Sequence, residues 1–221
     1  MPLAALLACG STQDKSSGGD VIKASGNVID LRIDESKPDQ AFASDADARV
    51  GFDEQGFESR MLLYFPKIRE LYDENVILSS ITEIQLKIHC DEIAVNPGKI
   101  KLYSLKRPWS AAASWKSRFV WLEGYEWKTP GGDFDSSEPA ITPSIRKNSQ
   151  SDSPFELAFD VTDSVVNMVS IGQENFGFIV LVEKSDLNYR NSLYFKTANS
   201  GDLSQKPVSV LVFSRKDVIS P

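Results

Sequence analysis

One histidine, His89, serves all 221 residues, so a zinc site of the usual ligands or a Ser–His–Asp triad would have to be built on that single ring. His89 falls on the outward side of an alternating run, with no second His or Cys beside it. There is no glycine loop of the phosphate-cradling type. No pair of carboxylates stands out in an apolar setting for glycoside hydrolysis. A lyase base with a neutralising partner finds only Asn188, Tyr189 and Arg190, in a stretch that reads as a solvated turn. These shortages predict a protein that is not an enzyme. Long apolar runs are also missing, so no helix is expected to span a bilayer. Cysteine is limited to Cys9 and Cys90, in unlike settings, and no disulfide between them is expected.

Acid is scarce in one place only. The chain carries a formal charge of −7, which argues against nucleic acid as the main partner. Between Glu92 and Glu123, however, there is no Asp or Glu, while Lys99, Lys101, Lys106, Arg107, Lys116 and Arg118 all fall there. The four tryptophans, Trp109, Trp115, Trp121 and Trp127, overlap this window, each six residues after the last. Aromatic rings beside cations suit flat sugar rings and anionic groups. Interior packing is the plainer use of Trp, and it is the role expected of Trp109, Trp115 and Trp127.

At the N-terminus, Leu6, Leu7, Ala8 and Cys9, followed by Gly10, resemble a bacterial lipobox, in which the cysteine is lipidated. Residues 1–8 are read as a truncated lipoprotein signal and 9–26 as a flexible tether, on the small polar run 10–20. Lipidation at Cys9 would hold the chain at a membrane surface in the bacterial cell envelope, either the outer membrane or the cell surface.

Beyond the tether the pattern is β, and residues 27–215 are read as one domain with a tail at 216–221. Short alternating runs predict strands over 27–33, 46–52, 81–90, 99–105, 155–161, 192–195 and 207–213. Residues 60–65 and 176–182 are apolar on both faces and predict central strands. In the run ending at Cys90, Ile84, Leu86, Ile88 and Cys90 share the inward face, so Cys90 is expected to be a buried thiol. Residues 140–153 read as a loop. One helix is expected at 162–169, capped by Asp160 or Thr162 and ended by Gly172. The whole predicts an all-β, antiparallel β-sandwich or jelly roll. Gly131, Gly132, Asp133 and Asp135, or Asp45 with Asp47, offer oxygens that could reach Ca²⁺, although neither spacing matches a known Ca²⁺ loop and a glycine turn is the plainer reading.

Several stretches together resemble the DNRLRE-type, or disaggregatase-related, jelly-roll domains. They are ADARVG at 46–51, SRMLLYF at 59–65, the 80–88 strand, Trp109 with Ser114–Trp115, WKTPGGDF at 127–134, and FDVTDSVVNMVSIGQENFGF at 159–178. The usual acid after the first tryptophan is absent, and Met168 stands where that helix often carries Trp. The resemblance implies a non-catalytic, surface-anchored carbohydrate-binding module for an acidic, uronate polysaccharide. On that reading Lys99, Lys101, Lys106, Lys116 and Arg118 would meet carboxylates. Tyr103, Trp121 or Tyr125 would stack on sugar faces. Arg60 could serve a ligand or hold a carboxylate structurally. The alternative is a structural or adhesion domain that binds another envelope protein.

Overall fold

The computed structural model describes residues 19–24, 28–66, 81–91, 99–119, 122–137, 139–147, 155–184 and 192–214. Cys9, Trp121, the 188–190 turn and the 216–221 tail lie outside them.

Among the described residues the fold is an all-β sandwich of eleven antiparallel strands, with one α-helix and a short 3-10 turn at Leu203–Gln205. The strands are β1 (Gly19–Ala24), β2 (Ile29–Asp34), β3 (Asp47–Phe52), β4 (Glu58–Tyr64), β5 (Ile81–Cys90), β6 (Ile100–Ser104), β7 (Ser144–Lys147), β8 (Phe155–Asp160), β9 (Phe178–Val182), β10 (Ser192–Lys196) and β11 (Val208–Ser214). One group of strands runs β2–β4–β9–β6, the other β1–β11–β5–β8–β7. β3 and β10 pair with each other and join the groups. β3 meets β4 at Gly51 and Phe52, and β10 meets β5 through Phe195 and Cys90. The sheet therefore curls over on itself.

Alternation sets the interior. Met61 and Leu63 of β4, Leu86 and Ile88 of β5, Leu157 and Phe159 of β8, and Phe178 and Val180 of β9 meet between the layers. Helix α1 (Thr162–Ser170) closes one end of this core with Val165 and Met168. Its N-cap is Val161, without a side-chain cap, rather than the expected Asp160 or Thr162, yet the start is pinned twice. The Asp160 carboxylate accepts the Thr162 N–H at 3.0 Å, and Thr162 Oγ1 accepts the Ile84 N–H at 2.8 Å, which ties α1 to β5. Cys90 is buried and free, and burial pushes its thiol up to about 12.

A second core lies outside the sandwich. Leu31, Leu62, Ile179 and Tyr103 stand in one cross-strand row over β2, β4, β9 and β6. Trp115, Trp127, Leu105, Ala113 and Phe42 pack onto that face. β4 and β9 are thus covered on both faces, as their unbroken apolar runs require.

Two elements depart from the sequence reading. The expected 140–153 loop contains β7, which pairs with β8 through Ser144–Lys147. β7 is four residues long and offers one inward apolar residue, Ile145, too little for a periodic signal. The sheet also begins within the expected 9–26 tether, because the β1 backbone pairs with β11 over Gly19–Ala24. Six residues beside a Gly/Ser run show no alternation that could announce that pairing.

Candidate functional site

The described residues between Lys106 and Phe134 cross the outer face of β2–β4–β9–β6 as a layer of turns. Trp127 Nε1–H donates to the Ser114 carbonyl at 2.9 Å, and the Trp127 N–H donates to the Lys116 carbonyl at 2.9 Å. The glycine turn seats this layer on the sheet. Gly131 has φ +90°, and a Cβ there would lie 2.9 Å from both the Arg60 guanidinium and the Trp115 ring. Arg60 donates to the Gly131 carbonyl at 2.9 Å, pairs with Glu58 at 2.7 Å and lies 5.0 Å from the Trp115 ring centre. Its role here is structural. Asp133 closes the same turn by accepting the Lys128 and Thr129 N–H groups at 3.0 and 2.9 Å.

The structure pairs most cations of the acid-free window with acids from elsewhere in the chain. Lys99 lies 3.8 Å from Glu183, Lys106 2.8 Å from Asp135, Arg107 3.3 Å from Asp133, and Lys116 3.1 Å from Asp39. Lys106, helped by Ser137, holds the Asp135 carboxyl well below the usual carboxylate range. Arg118 is buried, donating to the Pro108 carbonyl at 3.2 Å and the Glu126 carbonyl at 3.4 Å. Lys101 has no ion-pair partner among the described residues. Lys99 and Lys101 lie on or beside β6, while Lys116 bonds to Pro38 and Asp39, just past β2. β2 and β6 are opposite edges of that four-strand group, about 14 Å apart by strand spacing. Lys101 and Lys116 therefore do not converge. Tyr103 packs in the second core with its ring 4.9 Å from Phe134. Tyr125 stands 43% exposed, edge-on to Phe119.

A cavity opens at the start of the same layer. It holds about 510 Å³ between Pro108–Ala111, the chain after α1 (Gly172–Phe176) and a floor of Ile29 and Tyr64, which are cross-strand partners. Trp109 is fixed in its wall, because its Nε1–H donates to the Phe176 carbonyl at 2.8 Å. Gly177 lets the opposite wall approach the sheet. With φ +88° it lies against β4 so closely that a Cβ would run into the Leu63 carbonyl oxygen. Asn175 Oδ1 accepts the Gly177 N–H at 2.8 Å, and its Nδ2 is buried with no hydrogen-bond partner among the described residues. Glu174 is exposed on the rim.

A shallower hollow of about 340 Å³ lies over β2, β3 and β10. Asp34, 3% exposed, binds Arg32 at 2.9 Å and Arg49 at 3.2 Å there. Burial would push its carboxyl up, but the Ser36 hydroxyl and N–H, with Arg49 and Arg32, hold it below the usual value. Acids and bases balance in this hollow, as a structural network would have them.

Neither hollow was expected from the sequence. The signal for the cleft was nonetheless present, since Trp109 and Asn175–Phe178 both fall in stretches that carry the family resemblance. The oxygens considered for Ca²⁺ accept other bonds: Asp45 holds Arg32 at 3.0 Å and Asp47 holds Lys196 at 2.8 Å, while Asp133 and Asp135 are engaged as above. Outside the rim, His89 Nε2 lies 3.9 Å from Glu156 on the outer face of β5, where its ring is half-buried and Nδ1 has no hydrogen-bond partner among the described residues. The chain matches no protein-family model and no curated protein, so the resemblance to disaggregatase-related domains stands on its motifs alone.

Proposed function

We propose that this domain is a non-catalytic carbohydrate-binding module, displayed at a bacterial envelope by lipidation of Cys9, with the Trp109 cleft as its sugar site. One observation carries the reading: a cavity of about 510 Å³ walled by an indole whose orientation is fixed by its own hydrogen bond. Sites for small ligands combine such apolar walls with a few placed polar groups, in volumes of about 300–1,000 Å³. A pre-oriented ring loses little freedom when a sugar face stacks on it. The support for a site in the basic window is weaker, since most of its cations already hold a carboxylate or a carbonyl.

The test is titration of the full chain with oligosaccharides, followed by the NMR signal of the Trp109 indole N–H. Saturable shifts at that signal support the module. Shifts confined to residues near Lys101 would return the site to the basic window. The competing reading, an adhesion domain for another envelope protein, draws on Leu122 and Tyr125, exposed at 51% and 43% on one turn of the layer. Retention of a partner protein that is lost in Leu122→Ser, with no response to any glycan, would favour it. Lipidation itself is read by mass spectrometry of the N-terminal peptide from a bacterial membrane fraction, where Cys9→Ser removes the acyl mass.

A further inference from the structure

We infer that the Trp109 cleft selects uncharged sugar residues over uronates, an inference that rests on the carbohydrate-binding reading above. Charge decides it. Among the described residues lining the cleft, Glu174 alone is charged, and none is a cation. A uronate carboxylate seated there would face a like charge and lose water without gaining a counter-ion. The cations nearest in sequence to the wall are occupied elsewhere. Lys106 and Arg107 hold Asp135 and Asp133, and Arg118 is spent on the Pro108 and Glu126 carbonyls.

What the cleft does offer matches hydroxyl groups. A sugar hydroxyl both donates and accepts, as does the exposed side chain of Gln173; the Ser110 hydroxyl is already engaged, donating to the Arg118 carbonyl and accepting from the Ala112 N–H. Asn175 adds a buried amide donor whose oxygen is already taken by Gly177. The Glu174 carboxylate can accept two hydroxyls of a vicinal diol, in charge-assisted bonds that a neutral sugar supplies at no electrostatic cost. The C–H face of a pyranose would lie on Trp109, over the floor made by Tyr64 and Ile29.

The experiment is calorimetric titration of the full chain with neutral oligosaccharides (gluco-, manno- and galacto-configured) and with oligomers of mannuronate, guluronate and galacturonate. Each is run at about 0.02 and 0.5 M NaCl, on either side of the range where exposed charges are screened. At least one neutral series is expected to bind at least about tenfold tighter than any uronate, with under about a twofold change between the two salts. Glu174→Gln should weaken neutral binding about three- to tenfold, since the amide oxygen still accepts but the charge assistance is lost. Trp109→Ala should abolish binding. Trp109 also packs against the layer, so exposed Gln173→Ala provides a second probe that leaves the packing alone. Lys101→Ala should change nothing. Uronate binding that responds to Trp109→Ala and strengthens in Glu174→Gln would overturn the ligand class while keeping the site. Absence of any glycan binding sensitive to Trp109, Gln173 or Glu174 would overturn the carbohydrate reading itself.

Discussion

Asp30 sits beneath the turn that follows β10, its carboxylate accepting the Ala198 N–H in a buried position. Burial pushes its pKa up to about 6, against the smaller lowering effects of Ala198 and Lys206. The folded protein therefore holds this proton more tightly than the unfolded chain. Asp30 is best tolerated below about pH 4, and its contribution falls as pH rises from the unfolded value of 3.8 through about 6. That interval corresponds to about 3 kcal/mol as an upper bound. Asp30→Asn keeps an oxygen for Ala198. It should raise stability at pH 7 and leave it nearly unchanged at pH 4 in urea denaturation; an equal gain at both pH values would count against the ionised carboxylate as the cause. Asp34 acts in the opposite sense, since its lowered pKa means that stability is lost as pH falls below the unfolded value. A second residue-scale expectation contrasts two glycines. Gly177 and Gly124 both have positive φ, at +88° and +82°, but a Cβ at 124 meets nothing within 4 Å. Gly124→Ala should cost about 1 kcal/mol of backbone strain. Gly177→Ala adds a backbone clash and should cost about 2–4 kcal/mol, and it should also displace the cleft wall. Paired denaturation curves separate the two contributions.

At the scale of elements, the strands were legible because alternation leaves a clear trace. Ile81–Cys90 matches its predicted bounds, and the other predicted strands shift at their ends by one or two residues. The doubled coverage of 60–65 and 176–182 was visible as apolar runs, but nothing in those runs said what would cover the outer face. The partners of the basic window could not be read either, because Asp39, Asp133, Asp135 and Glu183 are brought to it by folding and leave no mark in local sequence. The tryptophan layer behaves as an element in its own right. It has its own core and touches the sandwich through one sheet face. Trp115→Ala should cost about 3–5 kcal/mol, from the lost ring and the cavity beneath it. Hydrogen exchange should then show deprotection of amides in 106–134, while β5 and β8 keep theirs. Uniform loss across both would mean that the layer and the sandwich form one cooperative unit.

At the scale of the whole molecule, the two cores give two spectroscopic handles. Trp109, Trp115 and Trp127 stand in the outer layer, so their fluorescence reports it, while far-ultraviolet dichroism reports the sheets. With increasing urea the fluorescence change should come first, because the layer has the smaller core; coincident midpoints would establish a single two-state transition. The shared sheet has a further consequence, for the lengths this chain can adopt. β4 sends Leu62 outward and Met61 and Leu63 inward, and β9 sends Ile179 outward and Phe178 and Val180 inward. Deleting one residue from either strand would exchange the contents of the two cores at once, with no polar face to absorb the mistake. Point changes among aliphatic residues should survive there, whereas single-residue insertions and deletions should be purged. A deep mutational scan would then show these two strands as stretches permissive in letter but rigid in count, and the exposed turn around Gly124 as the reverse.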